Sequence, residues 1–329
     1  MAAFARPSSD VRPDPISGPL LVAAHDAGGA EVVSSWVLRN WHTAFHLVAE
    51  GPARAIFLRK LPACSISLRS ELPQLIRSSR FLLTGTSWGS DLEFQAIKLA
   101  GTCKVRSASF VDHWVNYPQR FSCNGESVLP NEIWIGDEFA LNVAKQHFPA
   151  EIVHLEPNPY FADIREEFEL LPQQKQPGNE LRILYVSEPI AEHFALPAYR
   201  HQHPGYDEYG AIANFLLQLN VVKERPVTIR LRLHPSETKS KYAPVLQGQC
   251  SHNLHYSEGT SLLQDCAWAQ WVIGCESMAM VVGLIAGKPV FTSIPPGGRN
   301  CQLPQPAIQP LNATAINHLM QRPVETPIC

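Results

Sequence analysis

The sequence predicts an α/β protein of two Rossmann-like domains, and three observations carry that prediction. Apolar runs of strand length alternate with helix-length segments along the chain, the rhythm of parallel sheets crossed by helices. Small-residue or acidic turns follow those runs directly, at His25-Asp26-Ala27-Gly28-Gly29, Gly85-Thr86-Ser87, Asp112-His113 and Gly274-Cys275-Glu276-Ser277. A charged segment rich in Gln and Pro, EEFELLPQQKQPGNE, divides the chain. The expected organisation is a loose tail at 1–18, a first domain at 19–162 and a linker at 163–180. A second domain at 181–310 follows, then a C-terminal segment at 311–329 that returns to the first domain. A chain of 329 residues suits two domains of ordinary size.

Composition narrows the function classes. Hydrophobic residues make up 45% and charged residues 17%, enough apolar material for two cores. A formal charge of -3 and a pI near 6.5 argue against nucleic-acid binding through bulk electrostatics. None of the eight cysteines forms a CxxC pair, so no zinc or thioredoxin-like motif is written, and a reducing cytoplasm is the expected compartment. No apolar run reaches the roughly 20 residues of a membrane helix, which leaves peripheral membrane attachment open.

In the first domain a strand over 19–24 runs into His25-Asp26 and Gly28-Gly29, with a helix from about Glu31 to Asn40. Two glycines between strand and helix allow a ligand close to the backbone, although GxGxxG is absent. Asp26 is read either as a catalytic acid or as a helix N-cap. A strand over 45–49, a looser region, a helix near 70–77 and a strand over 81–84 follow. The loop after the last of these carries Ser87, and a helix covers about 92–100. The strand over 104–111 ends in Asp112-His113-Trp114-Val115-Asn116, where an acid, an imidazole and an amide make a candidate reaction centre. The alternative there is a salt-bridged, aromatic-anchored loop. Asp26, Ser87 and Asp112 are expected to converge on one sheet edge.

The second domain opens with a strand over 181–186 tipped by Ser187-Glu188. A long segment over 190–207 holds His193, His201 and His203, whose spacing fits no zinc pattern and suits a covering loop. The strand over 228–233 ends in His234-Pro235, and Pro235 aims the histidine from the sheet edge. Glu258 follows the next strand. Trp271 to Phe291 then reads strand, tight turn, helix, strand. Gly274 breaks the first strand, Ser277 caps the helix, and the positive helix end is a natural phosphate site. Consecutive strands are expected to set His234, Glu258 and Ser277 along one edge, facing the first domain across a cleft.

The two halves resemble the GT-B glycosyltransferase architecture. His234-Pro235 and Glu276-Ser277 followed by AMVVGLIAGKPVF are similar to the HP and serine motifs of bacterial sialyltransferases, polysialyltransferases and Kdo transferases. UDP-GlcNAc 2-epimerases and CDP-glycerol glycerophosphotransferases have a similar C-terminal unit, so the resemblance points to the superfamily more than to the donor. The resemblance implies a nucleotide sugar held by its phosphate at His234, Ser277 and Gly274. Glu258, Glu276, Ser187 and Glu188 would lie near ribose and nucleotide. Single Ser277 behind Cys275-Glu276 departs from the paired hydroxyls of those families, and their acidic base motif has no clear copy. The expected function is therefore transfer of a sugar, with a CMP-sugar favoured, to a glycan or other hydroxyl acceptor in surface polysaccharide synthesis. Asp112 is the first choice of base, Asp26 the second, and His25 and His113 are helpers; Gly28, Gly29, Ser87 and Asn116 line the acceptor side. No Asp-x-Asp appears, so no metal and no cofactor beyond the substrate nucleotide are expected. The rivals are an epimerase or hydrolase acting on the nucleotide sugar itself, and a non-catalytic nucleotide- or glycan-binding protein.

Overall fold

The computed structural model describes residues 18–321 apart from 88–89, 173, 175–177, 196–199, 201–202, 223–224 and 248–251. His201, the expected tail before Gly18 and the last eight residues lie outside the described set. The chain divides into two compact units at Asp163–Ile164. Each is a parallel sheet with helices packed on it, which is the predicted fold class.

The first unit runs β1 (Leu20–Ala24), α1 (Ala27–Asn40), β2 (Phe45–Ala49), α2 (Gly51–Lys60), β3 (Ile66–Ser67), α3 (Leu72–Ser78), β4 (Phe81–Thr84), α4 (Leu92–Cys103) and β5 (Arg106–Val111). A small hairpin, β6 (Ser122–Cys123) and β7 (Glu126–Ser127), precedes β8 (Glu132–Ile135), α5 (Glu138–His147), β9 (Val153–Leu155) and α6 (Pro159–Leu170), whose residues from Ile164 onward belong to the second unit. The sheet order is β3-β2-β1-β4-β5-β8-β9, all parallel. Strand order reverses direction between β1 and β4, so their carboxyl tips open the crevice where open α/β sheets take ligands. The central strands β1 and β4 are almost wholly apolar because both faces are covered. Leu20, Val22, Leu83, Phe110 and Trp134 meet α1 and α2 on one face, while Leu21, Ala23 and Leu82 meet α3 and α4 on the other.

Two expectations for this part of the chain change. The looser region after β2 is a helix, α2, because Pro52 in the first turn starts it and Ala53 and Phe57 bury its inner face. The expected linker over 163–180 is helical as far as Leu170, and Phe161 and Ile164 are buried. The charged residues that suggested a linker are the outer face of α6.

The second unit contains β10 (Leu181–Val186), α7 (Ile190–Ala195), α8 (Glu208–Leu219), β11 (Val227–Arg232), α9 (Ala243–Gln247) and β12 (Asn253–Tyr256). After these come α10 (Leu262–Trp268), β13 (Trp271–Gly274), α11 (Met278–Ile285), β14 (Val290–Thr292), β15 (Ile308–Pro310) and α12 (Ala313–Gln321). The order is β12-β11-β10-β13-β14-β15, again parallel, with its reversal between β10 and β13. The C-terminal segment was expected to return to the first domain. As far as it is described, it packs on the second unit, placing Leu311 and Ile316 in that core. Among the described residues no helix is long and apolar enough to cross a membrane.

Candidate functional site

In the first unit the tips of β1, β4 and β5 bring together the residues expected there. His25 Nδ1 lies 2.7 Å from Asp26 Oδ1, and Ser87 Oγ donates to the same oxygen at 3.1 Å. Asp26 stands at the N-cap position of α1, yet its side chain makes no cap hydrogen bond. It is committed to His25 and Ser87 instead. Asp112 Oδ1 accepts from Thr86 Oγ1 at 3.1 Å and from Arg120 at 2.9 Å. The Arg120 side chain is 4% exposed and also donates to Thr86 Oγ1 at 2.8 Å and to the Val115 carbonyl at 3.2 Å. Asp112 thus meets the salt-bridge alternative: it is held by a buried cation at one oxygen.

Its other oxygen explains Gly28. A Cβ on Gly28 would stand 1.9 Å from Asp112 Oδ2, so the carboxylate rests against the first turn of α1. Gly29 meets Gly85 Cα, which a Cβ would reach at 3.0 Å. The glycine pair lets β4's loop close on α1 and serves internal packing. Asn116 adopts φ 62°, a left-handed position that asparagine tolerates, and its carbonyl accepts the Arg120 N–H at 3.3 Å. That turn carries Arg120 back onto Asp112. His113 Nδ1 accepts the Trp114 N–H at 3.0 Å, and burial first, then the Arg120 cation, lowers its pKa to about 4. It is a neutral imidazole at physiological pH.

One residue of this cluster escaped the sequence reading. Glu93, in the first turn of α4, is 4% exposed and accepts the His25 N–H at 2.7 Å. Its Oε2 is buried with no hydrogen-bond partner among the described residues. Burial pushes its pKa up to about 8, with Asp26 and Asp112 adding to the rise. A glutamate one residue into a helix reads as a dipole partner, which is why sequence alone passed over it.

In the second unit β10 provides the centre. Ser187 Oγ donates to Glu237 Oε2 beyond β11, and Glu188 Oε1 accepts the Cys275 and Glu276 N–H groups beyond β13 at 3.1 and 2.8 Å. The turn expected to bind a phosphate therefore already holds a carboxylate, and burial raises the Glu188 pKa to about 7. Ser277 Oγ accepts the Ala279 N–H at 3.2 Å, the capping role that was its alternative reading. Gly274 is a packing glycine, since a Cβ would fall 2.7 Å from Val186 Cγ2. Glu276 is bound to Arg299 at 2.6 Å and to the Gln302 N–H at 2.9 Å. His234 is exposed; its Nδ1 lies 2.7 Å from Ser236 Oγ and 3.2 Å from the Ser236 N–H.

Spatial order corrects the expected edge. From β12 to β13 it runs Glu258, His234, Ser187-Glu188, Ser277. Glu258 is three strand spacings from Ser277, roughly 14 Å at about 4.8 Å each. It pairs on the surface with Lys239 at 2.5 Å. Arg299 is a cation the sequence reading missed; its Nε is buried without a partner among the described residues. Among those residues no group of three or more His, Cys, Asp or Glu is arranged to hold a metal ion.

No family model matches the sequence, and no curated protein matches it. Solved structures do match. An S. aureus MnaA–UDP co-structure aligns over 92% of this chain and 88% of its own, with TM-score 0.61 and 10% identity. The Methanocaldococcus jannaschii UDP-GlcNAc 2-epimerase in complex with UDP-GlcNAc and UDP aligns over 93% and 94%, with TM-score 0.60 and 10% identity. The Neisseria meningitidis UDP-GlcNAc 2-epimerase bound to UDP-GlcNAc aligns over 93% and 92%, with TM-score 0.57 and 14% identity. What is shared is the fold. At these identities the likeness extends to two GT-B-like Rossmann domains and no further. The sialyltransferase-type motifs expected from sequence gain no support from any sequence match.

Proposed function

We propose that this chain is an enzyme that processes a nucleotide sugar, acting on the nucleotide sugar itself in the manner of an epimerase or hydrolase. The observation that carries the reading is the cluster at the tips of β1, β4 and β5: Asp26, Asp112 and Glu93 with His25. Inverting a sugar carbon by taking and returning a proton needs two proton-transfer groups, whereas transfer to a hydroxyl needs one base. Solved structures of this fold that hold UDP or UDP-GlcNAc favour a uridine nucleotide over the CMP-sugar first expected.

In this reading His25 exchanges protons through Nε2 while Asp26 fixes the Nδ1 side and stabilises the ring when it is charged. Asp112, ion-paired with Arg120, acts as a local negative charge or as the second proton acceptor. On the second unit, His234, Arg299 and the Ser277 helix end hold the phosphates, and the Glu188 carboxyl yields the Cys275 and Glu276 N–H groups to them. Thermal shift against UDP, CMP, CDP and GDP tests the nucleotide, since a ligand bound to the native state alone raises its melting point. Selective stabilisation by UDP supports the reading; no response to any nucleotide contradicts it.

Sugar transfer is the second reading. The His25–Asp26 pair at 2.7 Å favours it, because an imidazole oriented by a carboxylate is suited to deprotonating an acceptor hydroxyl. A donor that stays intact until a glycan acceptor is added would select transfer.

A further inference from the structure

Glu93 carries the most unusual constraint in the first unit. The side chain is 4% exposed, in the first turn of α4, directly behind the His25–Asp26 tip of β1. One oxygen is committed to the His25 main-chain N–H at 2.7 Å. The other is buried with no donor to meet it among the described residues. An ionised carboxylate with a bare buried oxygen bears an uncompensated desolvation cost. The charged groups around it are Asp26 beyond β1 and Asp112 beyond β5, with His25 on the peptide it binds and Arg120 committed to Asp112. Asp26 and Asp112 are acceptors. A hydrogen on Oε2 removes the buried charge and with it the largest part of that desolvation cost.

We propose that Glu93 is a positioning residue of this site that carries a proton at neutral pH, clamping the His25 main chain and keeping a third negative charge out of the Asp26–Asp112 pair. It acts through His25 and the local field. The inference rests on the proton-transfer reading of the cluster only for its catalytic consequence; the protonated carboxyl is a property of the folded protein alone. Its raised pKa, about 8, gives the same result.

The sign of the stability effect distinguishes this from a salt-bridged structural glutamate. A carboxyl whose folded pKa is raised contributes most at low pH, and the contribution is lost as pH rises from the unfolded value towards about 8. Glu93→Gln keeps a carbonyl for the His25 N–H and cannot ionise. Its melting temperature should match wild type near pH 5 and exceed it progressively, by several degrees, by pH 8. A difference that is flat across that range, or that favours wild type increasingly with pH, would overturn the proposal. Carbon-13 spectra of glutamate-labelled full-length wild type give a second readout should the variant fail to fold. Two carboxyls should titrate well above the ordinary range; Glu188→Gln removes one, and the remaining signal, with a midpoint near pH 8, is Glu93. Absence of that signal would also overturn it. Where wild type shows turnover, Glu93→Gln should shift its pH profile, and rescue by Glu93→Asp should be poor because the shorter side chain cannot reach the His25 N–H. Nucleotide binding by the second unit is unaffected by this test, so the proposed function and the Glu93 assignment can fail separately.

Discussion

Asp112 and Arg120 hold each other in place, and that mutual dependence makes unequal predictions for the two. Removing Arg120 leaves a largely buried carboxylate with only Thr86, so Arg120→Ala should cost about 3–5 kcal/mol in denaturant unfolding. Asp112→Asn keeps most of the packing and should cost less, while abolishing whatever turnover needs its charge. Gly28→Ala should act on the same carboxylate from the other side. Its methyl cannot coexist with Asp112 Oδ2 where that atom lies, so the variant should lose about 1–3 kcal/mol and most of its activity together. His113 titrates in the opposite sense from Glu93. Its pKa falls from 6.5 to about 4 on folding, so it contributes stability above pH 6.5 that is lost as pH falls towards 4. His113→Gln should flatten the acid limb of the melting curve over that window.

At the scale of elements, the turn between β13 and α11 is the informative case. Its sequence promised a phosphate site, and the structure supplies an anion from within the chain, the Glu188 carboxyl at the tip of β10. A phosphate that takes those N–H groups must displace that carboxyl, more easily when it is neutral. With a Glu188 pKa of about 7, nucleotide affinity should weaken as pH rises from 6 to 8, and Glu188→Gln should remove that component of the pH dependence. Titration calorimetry with UDP on both proteins checks it. The same element shows what a sequence conveys and what it withholds. Gly274, Ser277 and the apolar run from Met278 gave strand, turn and helix correctly, because local periodicity and capping determine them. That Glu188 fills the turn depends on β10 lying beside β13, a neighbour relation across the chain that no local pattern encodes. Glu258 failed for the same reason: consecutive in sequence, it is two strands from β10 on the sheet's edge. α2 and α6 were missed because their exposed faces are polar enough to read as loop.

Across the whole molecule the fold class was legible and the chemistry only partly so. Strand runs, small-residue turns and the crossover rhythm determine two parallel sheets. The convergence of His25, Asp26, Ser87 and Asp112 followed from knowing that strand tips face the crevice at a reversal of strand order. Glu93 and Arg299 lay beyond reach, since nothing in their own segments distinguishes them from a helix-terminal acid and a loop cation. The reaction is decided most directly by incubating the purified chain with UDP-GlcNAc alone and following the sugar by proton NMR. The account predicts a second sugar isomer or free UDP without any acceptor, with loss of that conversion in Asp26→Asn and His25→Ala. A UDP-GlcNAc spectrum that never changes, alongside a protein whose melting point no nucleotide moves, would contradict it.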